Sequence, residues 1–324
     1  MSCFNDAAHV ATAIQSIQQQ TLTNWELIVI NDGSTDETKQ ILQKFAKADP
    51  RIKVIEQENT GLTRALISGC DIAKAEFIAR QDADDISLPT RLEQQHAMLM
   101  RNSEVGFVSC CAEYIGPGNE YLKTQSRPAD SETATYKLLN EKMGPPAHGT
   151  VMFRKAVYQQ VGGYRHQFYF AQDADLWLRM AEVSQVAYVQ EAGYQFRWHE
   201  SSITGSGRSV QSKFGRLGQL CREARRENNP EEPWLEEAEE LRASIISSRQ
   251  QLDSKRQRAV RKDNQLSMTY LIGSQLVLNK DNQARFYLFK VIRQQPWHWK
   301  AWIRLVQSLI TGEKRIAERE DSHS

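Results

Sequence analysis

Across residues 10–79 the hydrophobic period switches back and forth between that of a helix and that of a strand, and this alternation constrains the fold more than any other feature of the chain. Val10, Ala13, Ile14 and Ile17 recur at helical spacing, and Trp25-Glu26-Leu27-Ile28-Val29-Ile30 then reads as a strand. Turn residues follow in Asn31-Asp32-Gly33-Ser34-Thr35-Asp36, where Ser34 or Thr35 is expected to cap a helix presenting Ile41, Leu42 and Phe45. The unit repeats: Ile52-Lys53-Val54-Ile55 reads as a strand, residues 62–73 as a helix and Phe77-Ile78-Ala79 as a strand. Such short units call for right-handed crossovers between strands, hence an α/β fold with a mixed, mostly parallel sheet flanked by helices. Beyond Pro89, Leu92 and Leu99 suggest a helix, residues 105–110 a strand and Gly116-Pro117-Gly118 a turn. After residue 204 the strand signals fade, with Gly205-Ser206-Gly207 as a boundary. The expected division is residues 1–204 as the α/β domain and 205–324 as a helical C-terminal region. Residues 313–324 are too polar to pack and are expected to be disordered.

Composition narrows the class. With 40% hydrophobic and 25% charged residues over 324 positions, the chain is globular in character. It holds no apolar run of membrane-spanning length, and its first residues resemble no signal peptide. The five cysteines are odd in number and lack ligand spacing, which points away from a disulfide framework or a zinc site and fits a reducing cytoplasm. The net charge of +1 hides an asymmetry: residues 1–200 hold 19 Lys and Arg against 25 Asp and Glu, residues 201–324 hold 22 against 15. A basic C-terminal third can face anionic headgroups or nucleic acid, or be a solvated helical surface.

In sheets of this type ligands gather beyond the carboxyl ends of the strands, and two acidic loops fall there. Asp32 follows one expected strand; Asp82, Asp84 and Asp85 follow another. Three carboxylates within four positions are hard oxygen ligands suited to Mg²⁺ or Mn²⁺ when a diphosphate supplies the remaining oxygens. Spacing alone leaves a plain reading open, in which Asp85 precedes and caps a helix and Asp32 is a turn residue before Gly33.

The order of several motifs resembles family 2 glycosyltransferases with the GT-A fold over roughly the first 200 residues. The resemblance rests on Phe4-Asn5, on residues 25–36, on Asn59-Thr60-Gly61-Leu62, on Ala79-Arg80-Gln81-Asp82-Ala83-Asp84-Asp85, and on Gln172-Asp173-Ala174-Asp175-Leu176-Trp177-Leu178-Arg179. It implies an inverting, metal-dependent enzyme of hexosyltransferase type that moves a sugar from a nucleotide diphosphate donor, UDP-type, to an acceptor hydroxyl. It also implies roles. Phe4, Asn5, Asp32, Arg64 and Asp82 would bind the nucleotide sugar, Asp84 and His199 the metal, Mn²⁺ or Mg²⁺, and Asp173 would be the general base. In the family Asp173 follows a glutamate; here Gln172 stands instead, and losing that charge is expected to lower the pKa of Asp173. Asp175 is expected to cap the helix that follows, with Trp177 in the core. The stretch holding Arg197 and His199 resembles a later motif in which Arg197 would meet phosphate, and His148 and Tyr164 are acceptor-side candidates. The acceptor implied is a saccharide or a lipid-linked one, in surface polysaccharide or glycolipid synthesis, with cytoplasmic placement, peripheral contact with an anionic membrane surface and no nucleic acid.

The opening motif of the family follows a buried apolar strand, whereas Phe4-Asn5 here stands almost at the start, so the first strand is expected to be truncated. A start upstream or a weakened product are the two expectations. The rival functions are a nucleotidyltransferase of similar fold and a truncated, non-catalytic binding module; a dinucleotide-dependent oxidoreductase is disfavoured because no Gly-x-Gly-x-x-Gly follows an early strand.

Overall fold

The computed structural model describes residues 1–199, 208–251 and 254–321, with side chains described for residues 1–199, 210–248 and 265–310. The chain forms two compact units. One comprises Met1–Glu113, Thr124–Phe196 and Ser209–Ser248, the other Tyr114–Lys123, Arg197–Arg208 and Arg249–Ser324. The Gly205-Ser206-Gly207 boundary lies outside the described residues.

The first unit is built on strand β2 (Leu27–Asp32), every residue of which is buried. That is the pattern of a strand covered on both faces. Its side chains alternate as the pleat requires: Leu27 and Val29 join helix α1 (Val10–Gln18) and Leu42 of α2 (Thr38–Ala48) in one cluster, while Ile28 and Ile30 meet Ala65 of α3 (Leu62–Ile72). β2 pairs in parallel with β3 (Ile52–Gln57) on one side and with β1 (Ser2–Cys3) on the other. Strands β4 (Phe77–Ala79), β5 (Ile86–Ser87), β6 (Val105–Ile115), β7 (Tyr121–Gln125), β8 (Met152–Arg154) and β9 (Gln185–Arg197) form a second sheet. In it β4 and β6 pair antiparallel with β8, and β5 antiparallel with β9, so the fold is mixed.

β1 is two residues long. Ser2 pairs with Ile30 and bridges to Asp82, so the end of β1 joins the two sheets. Below that junction β2 and β4 stand apart around a cavity of about 460 Å³, lined by Leu27, Ile28, Phe77, Ile78 and Gly69.

Helices α4 (Arg91–Arg101), α5 (Ser131–Glu141), α6 (Lys155–Gln160) and α7 (Gln172–Ala181) complete the layers. Trp177 lies in the main core, stacked on Phe107 at 5.4 Å. Helices α8 (Arg208–Arg226) and α9 (Glu232–Gln251) close over Phe168 through Phe214, Leu217, Cys221 and Ala238. All five cysteines are buried free thiols. The second unit packs α10 (Ser254–Leu278), α11 (Ala284–Gln294) and α12 (Trp299–Asp321) together. α12 is helical through Asp321, so of the stretch expected to be disordered only residues 322–324 lie outside the described residues, while side chains are described as far as residue 310.

Two local expectations are corrected. Neither Ser34 nor Thr35 caps α2: Ser34 Oγ accepts from the Asn5 amide, Thr35 donates to Asn5 Oδ1, and Asp36 Oδ1 takes the Thr38 amide instead. Asp175 does not cap α7, whose N-cap is Ala171; its carboxylate is buried against Arg179 at 2.6 Å and Arg165 at 3.7 Å.

Candidate active site

The acidic loop follows β4 and is stitched from beneath by Arg91, the first residue of α4, which is fully buried. A buried guanidinium is tolerable only where its donors are satisfied. Arg91 donates to Gln95 Oε1, Gln81 Oε1, Ser87 Oγ at 2.7 Å and the Arg80 carbonyl at 2.7 Å, and its guanidinium lies over the Tyr194 ring. Gln81 in turn holds the carbonyls of Asp82 and Asp85. The loop backbone is thereby fixed, and Asp82 and Asp84 keep partial exposure.

Arg80 is the centre of a second network. Its Nη2 meets Asp82 Oδ1 at 2.5 Å, its Nε donates to His148 Nε2 at 3.3 Å, and Tyr164 Oη lies 2.6 Å from the same nitrogen. Arginine can only donate, so His148 Nε2 is the acceptor and the Tyr164 hydroxyl donates to it; the imidazole is neutral with its proton on Nδ1. Burial, then the Arg80 charge, lowers the His148 pKa to about 3. Burial pushes the Asp82 carboxyl up, yet Arg80 and the other positive neighbours outweigh it and hold the group below the usual carboxylate range. The Asp82 amide donates to Tyr194 Oη.

At the end of β2, Asp32 is 2% exposed. Its carboxylate accepts from Gln57 Nε2 and the Thr60 amide on one oxygen and from the Gly61 amide on the other, which ties the loop before α3 to the strand. Gly33 makes the adjoining turn at φ +75°, where an added Cβ would lie 2.8 Å from the Asn59 nitrogen, so glycine is required. Asn5, in the left-handed region at φ 52°, accepts from the Thr35 amide at 2.7 Å and so fastens the loop of residues 31–36 beside Phe4, which is half-exposed. Arg64 is exposed on α3.

Asp173 lies in the first turn of α7, after Ala171 at φ 54°, a conformation costly for a residue with a Cβ. Its pKa is raised, primarily by burial, and the charges of Asp82 and Arg80 both act on it. The shift above the ordinary carboxylate range is set by removal from water, whereas the lowering expected from Gln172 is relative to a glutamate at that position and acts beneath it. Asp82, His148 and Tyr164 are thus gathered around one guanidinium, whose charge also acts on Asp173. His199 and Arg197 belong to the second unit, where Arg197 is 4% exposed and donates to Asn119 Oδ1 at 2.7 Å and to the Gly116 and Pro117 carbonyls.

Among the described residues no group of three or more His, Cys, Asp or Glu is placed to hold a metal ion by itself. The donor set still fits one: Mg²⁺-like ions are held through one or two carboxylates plus substrate phosphates, and half-exposed Asp84 beside Asp82 supplies such carboxylates on a fixed loop. Sequence reasoning quoted Arg80 without a role and missed Arg91. A cation at the strand end, directly before an acidic cluster, was the available signal for Arg80.

The model of the family described as glycosyl transferase family 2 matches residues 1–162. The O-antigen biosynthesis glycosyltransferase WbnJ of Escherichia coli is 35% identical over 173 residues, covering 53% of this chain and 66% of its own length. The amylovoran biosynthesis glycosyltransferase AmsE of Erwinia amylovora is 32% identical over 169 residues, covering 52% and 62%. The chain therefore spans less than two thirds of either relative. Among solved structures, the mannosyltransferase PcManGT of Pyrobaculum calidifontis, in complex with GDP-Man and Mn²⁺, superposes with a TM-score of 0.53 at 15% identity, over 96% of this chain and 85% of its own.

Proposed function

The chain belongs to glycosyl transferase family 2, and from that premise we propose that it is an inverting, metal-dependent transferase moving a hexosyl group from a UDP-type nucleotide sugar to an acceptor hydroxyl in surface polysaccharide or glycolipid synthesis. Its GT-A domain is taken as residues 1–204 and its helical region as 205–324. The observation that carries the reading is the Arg80 cluster, in which the guanidinium is paired with Asp82 while the charges of both act on the partly buried, basic-shifted Asp173.

In this reading the base and ribose of the donor lie across the ends of β1 and β2, against Phe4, Asn5, Asp32 and Arg64, with Asp82 at the ribose. Asp84 would hold Mn²⁺ or Mg²⁺, which would supply charge neutralisation to the departing diphosphate; His199, the further ligand implied by the resemblance, belongs to the second unit. The acceptor oxygen forms the new bond to the anomeric carbon from the face opposite the diphosphate. The bond from that carbon to the diphosphate oxygen breaks with its electron pair, and Asp173 takes the acceptor proton. A raised pKa suits that task, since a carboxylate of ordinary acidity is a poor proton acceptor near neutral pH. Neutral His148 and Tyr164 form the acceptor-side wall of this cluster and keep Arg80 aimed at Asp82. Cytoplasmic placement with peripheral membrane contact belongs to the same reading; among the described residues no helix is long and apolar enough to cross a membrane.

A second reading, a non-catalytic module of the same fold, draws on the cavity beside two-residue β1. A panel of UDP- and GDP-sugars with Mn²⁺ separates the two. Metal-dependent donor hydrolysis or transfer, abolished by chelation, is expected. Folded protein that neither turns over any donor nor gains thermal stability from a nucleoside diphosphate would sink the transferase.

A further inference from the structure

The second unit leaves an unusual amount of apolar surface in water. On α11 and α12 the inner faces are spent: Tyr287, Leu288, Val291 and Ile292 of α11 and Ala301 and Leu305 of α12 are buried. The outer faces are nevertheless apolar as well. Phe286 is 68% exposed and Phe289 59%, Trp297 in the connection between the helices is 90% exposed, and Trp299 63%. Along α12 the exposed row continues through Ile303, Val306 and Ile310, at steps of three and four residues from Trp299, so it forms one continuous stripe. Solvent-facing stripes of this kind mark interaction surfaces.

Charge says what the surface meets. Residues 284–310 contain five Lys or Arg and no Asp or Glu. Lys290 and Arg293 fall on the same outer face of α11 as Phe286 and Phe289, and the Lys300 ammonium lies 5.5 Å from the Trp299 ring centroid. A second copy of the same face would set cations against cations. An anionic interface is complementary to this charge, and it would receive the indole and phenyl rings at the depth where amphipathic rings are stable.

We propose that the outer faces of α11 and α12 dock on an anionic lipid bilayer, with Phe286, Phe289, Trp297 and Trp299 in the interface and Lys290, Arg293 and Lys300 at the headgroups. This goes beyond the transfer reaction and deepens only the peripheral-contact part of the proposed function, since it names the surface that makes the contact.

The test uses the full chain with vesicles of phosphatidylcholine, with and without about one third phosphatidylglycerol, at about 0.1 M salt, where screening acts over ~10 Å. The protein is expected to sediment with the anionic vesicles at least about tenfold more strongly than with neutral ones, with a blue shift of tryptophan emission, and to be released by high salt. The triple variant F286S/F289S/W297S and, separately, K290E/R293E/K300E should each lose about tenfold or more of that binding. All six positions are exposed, so circular dichroism should match the parent. Donor hydrolysis without vesicles should be unchanged in both, which separates this idea from the transferase reading. The proposal is overturned by equal binding to both vesicles, by no binding to either, or by variants that bind like the parent. It is equally overturned if light scattering without lipid shows a dimer that the first variant dissociates, for then a second copy covers the face.

Discussion

Replacing Asp173 by asparagine separates catalysis from stability in a way few substitutions do. The shape is kept, and asparagine can still accept the Ala174 amide that Asp173 Oδ1 takes at 2.8 Å. Loss of a positioned base typically costs about 10²–10⁴ in rate, so transfer should fall by that factor while metal-dependent nucleotide affinity stays within about twofold. Stability should move the other way. A carboxyl whose folded pKa is raised binds more protons in the native state than in the unfolded one, so the native protein loses stability as pH climbs from the ordinary carboxylate range through the folded pKa. Each tenfold displacement of the acid constant corresponds to about 1.4 kcal/mol. The asparagine side chain is neutral throughout, so at neutral pH the variant should melt no lower than the parent, and any advantage should shrink through pH 4 and vanish near about pH 3, where the parent carboxyl is largely protonated in both states. Paired thermal melts across pH, together with initial transfer rates, supply both readouts. Unchanged transfer would refute the base. A variant that melts lower at pH 7 but not at pH 4 would refute the electrostatic argument, because the carboxylate would then be stabilised by its neighbours on balance.

Other consequences follow from packing. Arg91→Leu leaves the Arg80 carbonyl, Ser87 Oγ and Gln81 Oε1 without their cationic donor and should cost about 3–5 kcal/mol, a melting shift of about 10 °C, with weaker metal-dependent donor binding; an unshifted melt would show that Arg91 does not hold the loop. Gly69→Ala, in mid-helix and beside the cavity, places a Cβ 3.5 Å from Ile30 Cγ1, an ordinary contact, and should stabilise by about 0.5–1 kcal/mol; denaturant titration giving a lower midpoint would contradict this.

Much of the first unit was legible because its elements announce themselves locally. Val10, Ala13, Ile14 and Ile17 define one face of α1, and the run ending at Ile30 is an apolar strand with turn residues directly after it. What escaped depended on distant partners. Thr35 reads as a cap until Asn5, thirty positions away, is found to accept its amide. Asp175 reads as a cap for the same reason, although Arg179 at i+4 offered a sign of its pairing. The two-residue β5 carries too few side chains to show a period, and the thirteen residues of β9 mix exposed and buried positions without strict alternation. At the site, motif order singled out Asp82 and Asp173, whereas the burial that raises the Asp173 pKa could not be read from it, because burial belongs to the folded chain and charge to the sequence.

The cavity between β2 and β4 also bears on how the molecule responds to force applied through the solvent. The hollow of about 460 Å³ beside the junction at Ser2 is partly open to water, so pressure acts on the fold through whatever part of it water does not already fill. Heat tests the whole of the buried surface, while hydrostatic pressure weighs imperfectly packed places such as this seam more heavily. A side chain or ligand that filled the space would add packing contacts beside the loop on which the acidic residues are held.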